Sequence, residues 1–264
     1  MRRLLFEIAY QGTRYHGYQV QANAVTVAST LQDAIEKVWG RREGITGCSR
    51  TDTGVHARQY FFHMDTEHTI PVDAAVRALN VNLPGDIAVL SCREVPGDFH
   101  ARYNVCWKEY TYQIWNAPVR NPFLDGMALQ YKYPLDAQLM DRCAAEFVGT
   151  HDFRGFCSTG SKAKPTFSDG GESTTRTIYS CHVEREGDMV LFRVCGDGFL
   201  YNMVRIMVGT LLPNGREVLK PGDLTRIIES GDRKRAGITA PAAGLYLTKV
   251  SYTPYEPKDG VTNG

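Results

Sequence analysis

The chain has 264 residues, 43% hydrophobic and 22% charged, with 30 basic against 29 acidic side chains and a net charge of +1. That length holds one large domain or two of about 130 residues each with a sizeable core, and no apolar run reaches the roughly 18–20 residues of a membrane span. Near-neutrality excludes any argument from bulk charge for a nucleic-acid binder, so an RNA partner requires basic residues gathered on one face and acids on the other.

The N-terminus opens with Arg2 and Arg3, but Glu7 cuts the apolar stretch short, so Leu4–Tyr10 reads as a strand and not as a signal peptide. Turn residues Gly12 and Gly17 follow. Val27, Leu31, Ile35 and Val38 recur at helical spacing over about Val27–Trp39, with Ser29 and Gln32 offering a capping box and Gly40 ending the helix. A polar loop through Arg50–Gly54 leads into a strand at Gln59–Asp65. A second helix covers about Val72–Asn80, closed by the turn Leu83-Pro84-Gly85-Asp86, and strands follow at Ile87–Glu94 and Glu109–Trp115.

In the second half a helix opens at Leu135-Asp136, with Leu139, Cys143 and Phe147 on one face. Cys157–Arg176, rich in Ser, Thr, Gly and Lys, reads as a mobile loop. Strands at Thr177–Arg185 and Met189–Cys195 flank the turn Glu186-Gly187-Asp188. Leu200, Val204, Met207, Val208 and Leu211 line a helix that carries Arg205. A last helix begins near Asp223, Leu245–Tyr252 forms a closing strand, and the tail beyond it reads as disordered. The pattern suggests two α+β units, residues 1–116 and 135–252, joined side by side through a Pro- and Gly-broken connection at 117–134, with a flexible tail at 253–264.

Seven cysteines (48, 92, 106, 143, 157, 181 and 195) are odd in number and include no CxxC pair. They read as reduced thiols of a cytoplasmic protein, neither a disulfide framework nor a zinc cluster. His56, His63 and His68 lack the thiol or carboxylate that would complete a zinc-like spacing, so no metal is expected.

The segment Gly47–Arg58 concentrates charge in a short loop, where catalytic groups usually sit. Asp52 has Arg50 two residues before it and His56 four after. On spacing alone this also fits a solvated turn closed by a weak Arg–Asp pair.

Arg50-Thr51-Asp52-Thr53-Gly54-Val55-His56 is similar to the signature of the bacterial TruA-type pseudouridine synthases. Tyr10, Gly12, Tyr15, Gly17, Tyr18 and Gln19 resemble that family's opening segment. Asn82-Leu83-Pro84-Gly85-Asp86-Ile87, Phe99-His100-Ala101-Arg102 and Lys108-Glu109-Tyr110-Thr111-Tyr112 resemble its middle blocks. Phe199-Leu200-Tyr201-Asn202-Met203-Val204-Arg205 with Val208-Gly209, and Gly244-Leu245-Tyr246-Leu247, resemble its closing ones. These blocks, in order from residue 10 to residue 247, cover nearly the whole chain. Tyr18 stands where the family usually has Trp, and Pro213 departs from its pattern and should stop the Arg205 helix early.

The resemblance implies two ferredoxin-like halves with antiparallel sheets around a central positively charged cleft, and a homodimer sharing one tRNA. It implies isomerisation of uridine to pseudouridine in the anticodon stem-loop, at tRNA positions 38, 39 and/or 40. That reaction moves ribose C1′ from N1 to C5 of the base and consumes no water, metal or redox cofactor. Asp52 is implied as the carboxylate that acts at C1′ or assists glycal formation, with Arg205 keeping it ionised despite burial. The target base must be flipped out. Arg50 suits the space it leaves, Tyr110 stacks on the base and is a candidate to take the C5 proton, and Leu245 packs its other side, while Tyr112 reads as core. Thr51 and His56 complete the substrate-binding set, His56 by ordering the loop. Phosphate contacts are expected from Arg14, Arg58, Lys162, Lys164 and Arg176, with Arg41, Arg42 and Arg233-Lys234-Arg235 as further basic groups. Two other readings stay open on the residues alone. A retaining glycosidase or nucleoside hydrolase would need a second carboxylate at about 5 Å, and no second acidic motif stands out. A non-catalytic RNA-binding module would need aromatic pairs on a sheet, but not Arg50, Asp52 and Arg205 together.

Overall fold

A computed structural model of the chain describes residues 1–158, 173–213 and 218–257. It is a mixed α/β protein built on one large, mostly antiparallel sheet. In chain order the described elements are β1 (Arg2–Tyr10), α1 (Val27–Trp39), β2 (Ile45–Gly47), β3 (His56–Thr66), α2 (Val72–Asn82), β4 (Ile87–Val95) and β5 (Trp107–Trp115). Then come β6 (Leu129–Gln130), α3 (Ala137–Ala144), β7 (Gly149–Asp152), β8 (Thr175–Glu186), β9 (Met189–Gly196), α4 (Met203–Leu211), α5 (Asp223–Ser230) and β10 (Leu245–Ser251).

The strand order is β4-β1-β3-β10-β5-β9-β8-β7, with β2 added to β3 and β6 to β5. Strands of both halves therefore share one continuous sheet where two sheets side by side were expected. The seam is β10, which pairs parallel with β3 (Tyr246 opposite His56) and antiparallel with β5 (Leu247 opposite Tyr110). A one-residue bulge in β3 brings Ala57 onto the face of Tyr60, because Ile8 pairs with Tyr60 but Tyr10 with Ala57.

Alternation decides which side chains reach the core. Leu4, Phe6 and Ile8 lie directly opposite Met64, Phe62 and Tyr60, and all six are buried. Phe6 and Phe62 stack with ring centres 4.9 Å apart. Helix α1 covers this face with Val27, Leu31, Ala34 and Ile35. Its N-cap is Thr26, whose hydroxyl accepts the Ser29 N–H while the Ser29 hydroxyl accepts the Thr26 N–H. This corrects the Ser29–Gln32 box: Val27 and Ala28 are buried in the core, so the helix is already under way at Ser29.

Helix α4 starts at Met203 and not at Leu200, because Asn202 adopts a left-handed conformation (φ 60°) that no helix continues through. It ends before Pro213, as expected of a proline there. Strand β8 begins at Thr175, so Arg176 sits in a strand and not in the expected loop; of that loop, residues 159–172, with Lys162 and Lys164, lie outside the described residues. The disordered tail is corrected for residues 253–257: Tyr255 stacks on Tyr179 at 4.5 Å and meets Trp107 edge-on, which fastens this stretch to the sheet. Residues 258–264 lie outside the described residues. No described helix is long and apolar enough to cross a membrane.

Candidate active site

Asp52 lies in the loop between β2 and β3, and that loop is fastened from three sides. From below, Tyr10 on β1 hydrogen-bonds the Thr51 hydroxyl at 2.8 Å, and Tyr60 on β3 donates to the Ser49 carbonyl. From one flank comes the segment 12–18. The Tyr18 N–H donates to the Thr51 carbonyl and the Gly54 N–H to the Tyr15 carbonyl. The approach is so close that a Cβ on Gly12 would lie 1.9 Å from the Val55 carbonyl oxygen. A Cβ on Gly17, which also has φ +80°, would lie 2.5 Å from that of Thr51. Only glycine satisfies both positions. Tyr15 and Arg14 both bond the Asp86 carboxylate, which anchors the segment to the start of β4.

His56 fastens the third side. It is 1% exposed. Its Nδ1 accepts the Gly12 N–H at 3.0 Å, so Nε2 carries the proton and donates to the Ala243 carbonyl at 3.1 Å. Burial lowers its pKa, and the ring stacks on Tyr246. A neutral imidazole thus ties the Asp52 loop to the N-terminal turn and to the start of β10.

Arg205 reaches Asp52 from the other half of the chain. Helix α4 is buried nearly all round, and it can lie against the 237–240 segment because residue 209 has no side chain; a Cβ there would fall 1.9 Å from the Ile238 carbonyl oxygen. The same segment holds the guanidinium: Arg205 Nε donates to the Ala240 carbonyl at 2.6 Å and one terminal nitrogen to Asn202 Oδ1 at 2.7 Å. That nitrogen lies 4.0 Å from Asp52 Oδ2. The Asp52 side chain keeps 30% of its surface exposed. Burial pushes its pKa above the usual carboxylate value and Arg205 opposes that rise.

Tyr110, on β5, has 7% of its surface exposed and meets Phe199 edge-on at 5.1 Å. Burial raises its pKa, Ser49 opposes through a side-chain hydrogen bond, and Asp52 adds to the rise. The group is a neutral phenol at physiological pH. Tyr112, two residues on, is fully buried and donates to the Pro241 carbonyl, a core tyrosine as expected. Leu245 stands opposite Tyr112, and so two residues from Tyr110 along the same face.

The chain therefore brings together Asp52, Arg205 and Tyr110, with Leu245 close by. Arg50 is exposed beside Asp52. The Thr51 hydroxyl is committed to Tyr10, and both ring nitrogens of His56 are committed to backbone, so these two residues position the loop. Arg58 lies over the Tyr246 ring at 5.3 Å, Arg14 is paired with Asp86, and Arg176 donates to the Ser173 carbonyl. Arg41 pairs with Glu43, and Arg42 with Asp33 and Glu36. Among the described residues no group of three His, Cys, Asp or Glu side chains is set to hold a metal. Sequence reasoning missed Asn202, whose side chain orients Arg205 and whose amide donates to Ser158. Its place immediately before the helix was the available signal.

A family model described as tRNA pseudouridine synthase matches residues 8–104 and 143–253. The chain is 45% identical over 252 residues to tRNA pseudouridine synthase A of Acetivibrio thermocellus, covering 96% of this chain and all of that one. It is 42% identical over 252 residues to the protein of the same name from Clostridium acetobutylicum, with the same coverage. The one from Staphylococcus aureus strain MRSA252 is 41% identical over 248 residues, 94% of this chain and 91% of that one.

Proposed function

The chain belongs to the tRNA pseudouridine synthase family, and from that premise we propose that Asp52 is the carboxylate that opens and recloses the glycosidic bond of the target uridine. The protein is an isomerase that converts uridine in tRNA to pseudouridine. The observation that supports the residue assignment is the 4.0 Å approach of Arg205 to Asp52 across the seam of the sheet. A carboxylate that acts at C1′, or that assists glycal formation, must be ionised in a site closed over a base. Burial works against this, and the single guanidinium works for it.

The reaction conserves every atom. The N1–C1′ bond breaks with its electron pair going to the base, the base turns, and C5 forms the new bond to C1′. The C5 proton then leaves and N1 gains one. Because burial keeps Tyr110 protonated, its hydroxyl serves this exchange by accepting one proton while handing on its own. Its ring and Leu245 bracket the base, and Arg50 fills the gap left in the RNA stack. Phosphate contacts come from Arg14, Arg58 and Arg176. The near-complete coverage of the relatives supports carrying over the rest of the family reading: ferredoxin-like halves, a homodimer sharing one tRNA, a cytoplasmic location, and uridines 38 to 40 of the anticodon arm.

Tritium release from tRNA labelled with [5-³H]uridine tests the assignment. Wild type releases tritium and Asp52→Ala releases none while still binding tRNA. Release at an undiminished rate from Asp52→Ala would remove Asp52 from the chemistry, and free uracil among the products would indicate hydrolysis.

A further inference from the structure

Lys108 is the second residue of β5 and points to the same face as Tyr110, because β5 pairs with β9 in an unbroken register from Lys108 to Trp115. Two strand residues separate positions by about 7 Å, so this ammonium group begins one row from the stacking tyrosine. Across the sheet its row continues through Gly196 to Ile178, and Ile178 Cδ1 closes over Gly196, 2.9 Å from where a Cβ there would be. The side chain is half-buried, and among the described residues it makes no hydrogen bond and no ion pair. Its electrostatic neighbours are the Cys48 thiol and two more cations, Arg102 and Arg176, with no carboxylate among them. Burial, in the first place, and the two arginines lower its pKa, while Cys48 raises it.

The two arginines frame the same corner. Arg176 lies on β8 two residues from Ile178, on the same face, and its Nε is 3.3 Å from where a Cβ of Gly198 would be, beside Phe199. Arg102 follows Ala101, whose N–H is held by His63 Nδ1 at 3.1 Å. Cys48, four residues before Asp52, is within electrostatic reach of both Lys108 and Tyr110. A half-buried ammonium group facing other cations is unfavourable in the free protein, and the arrangement becomes favourable when an anion arrives. The substrate carries one in every nucleotide linkage.

We propose that Lys108, flanked by Arg102 and Arg176, seats the phosphodiester next to the target uridine and so holds the flipped nucleotide against Tyr110. This rests on the isomerase reading above and adds a backbone contact that fixes the nucleotide along the strand direction. It differs from the contacts of Arg14 and Arg58 in being adjacent to the chemistry, and it gives Arg176 its phosphate.

A coupling experiment tests it. Dissociation constants are measured for wild type and Lys108→Met with a synthetic anticodon stem-loop RNA, all-phosphate or with a neutral methylphosphonate 5′ or 3′ of the target uridine. Each single change should weaken binding about tenfold, as for one hydrogen bond to a charged group. At one of the two linkages the combined change should weaken it no further. Losses that multiply at both linkages overturn the proposal. Lys108→Met should also melt no lower than wild type, because no protein partner is lost; a melting point several degrees lower would make the residue structural and overturn it too. Tritium release by wild type on the all-phosphate RNA is read separately. If it is absent, the isomerase reading falls, while the binding comparison still decides whether Lys108 meets a phosphate.

Discussion

Substituting Gly12 by alanine should slow the reaction about 100-fold without touching any group that meets the base. The new Cβ would start 1.9 Å from the Val55 carbonyl oxygen and 2.5 Å from its carbon, both backbone atoms. Opening the first gap to the 3.4 Å of ordinary contact moves one of the two segments by about 1.5 Å. Segment 12–18 is held by Asp86 through Arg14 and Tyr15 and by its bond to His56, so the Asp52 loop must take up much of the shift. Val55 carries Asp52 with it, because its N–H donates to the Asp52 carbonyl at 3.1 Å. A misplacement of about 1 Å at a reacting group costs roughly 100-fold in rate. The expected result for Gly12→Ala is therefore a kcat for tritium release about 100-fold below wild type, with tRNA affinity changed only a few-fold. Calorimetry or a thermal melt fixes the folded fraction to which the rate is normalised. A kcat within threefold of wild type would refute the reasoning, since it would mean that the loop absorbs the clash without moving its carboxylate.

The raised pKa of Asp52 sets a second expectation, that kcat/KM falls with decreasing pH at a higher value than an unperturbed aspartate would give. Arg205→Met removes the opposing charge and moves that acid limb further up in pH, with tRNA affinity largely kept; an unmoved limb would detach Arg205 from Asp52. Because its folded pKa is raised, Asp52 favours folding at low pH and loses that contribution as pH rises through the raised value, so Asp52→Asn should melt higher than wild type near pH 7. His63 has the opposite sign. Burial, helped by Arg3 and His100 and opposed by Asp65, lowers its pKa from 6.5 to about 4. Stability present above pH 6.5 should therefore be lost between pH 6.5 and about 4, by roughly 3 kcal/mol in all. Denaturant titrations of wild type and His63→Gln check this, and equal slopes in that window would contradict it. Phe6→Ala should cost about 3–5 kcal/mol in the same assay, since it empties one side of the Phe6–Phe62 stack.

Most long elements were legible from periodicity, because α1, β1, β3 and β5 each present one apolar face at the spacing their geometry demands. Short strands were not. β2, β6 and β7 have two to four residues each, too few for a pattern, and exist because a neighbouring strand offers unpaired backbone groups. The merging of both halves into one sheet was also invisible, since it depends on where β10 inserts and no local signal fixes that. In the active site, Asp52 and Arg205 stood out only through ordered motif blocks, because 153 residues separate them in the chain. The glycines at 12 and 17 were read as turn formers. Their stronger constraint, contact with Val55 and Thr51, is tertiary, and a turn signal conceals it. Lys108 sits inside a motif block that assigns it no role, and its unpartnered ammonium group, set among other cations, shows only in three dimensions.

The insertion of β10 between β3 and β5 has a consequence for how the molecule is made. β3 is complete at residue 66 and β2 pairs with its residues 62–64, yet the strand that pairs with His56 and Ala57 starts at residue 245. At translation rates of about 5–20 residues per second, that edge waits roughly 10–35 seconds for its partner. Until then the start of β3, His56 and Ala57, keeps unpaired backbone groups on that edge, the kind of template that invites association with other chains. His56, on that same strand, also waits for the Ala243 carbonyl. Catalytic competence should therefore appear abruptly once β10 is in place, and truncations that remove β10 should leave an aggregation-prone chain with no partial activity.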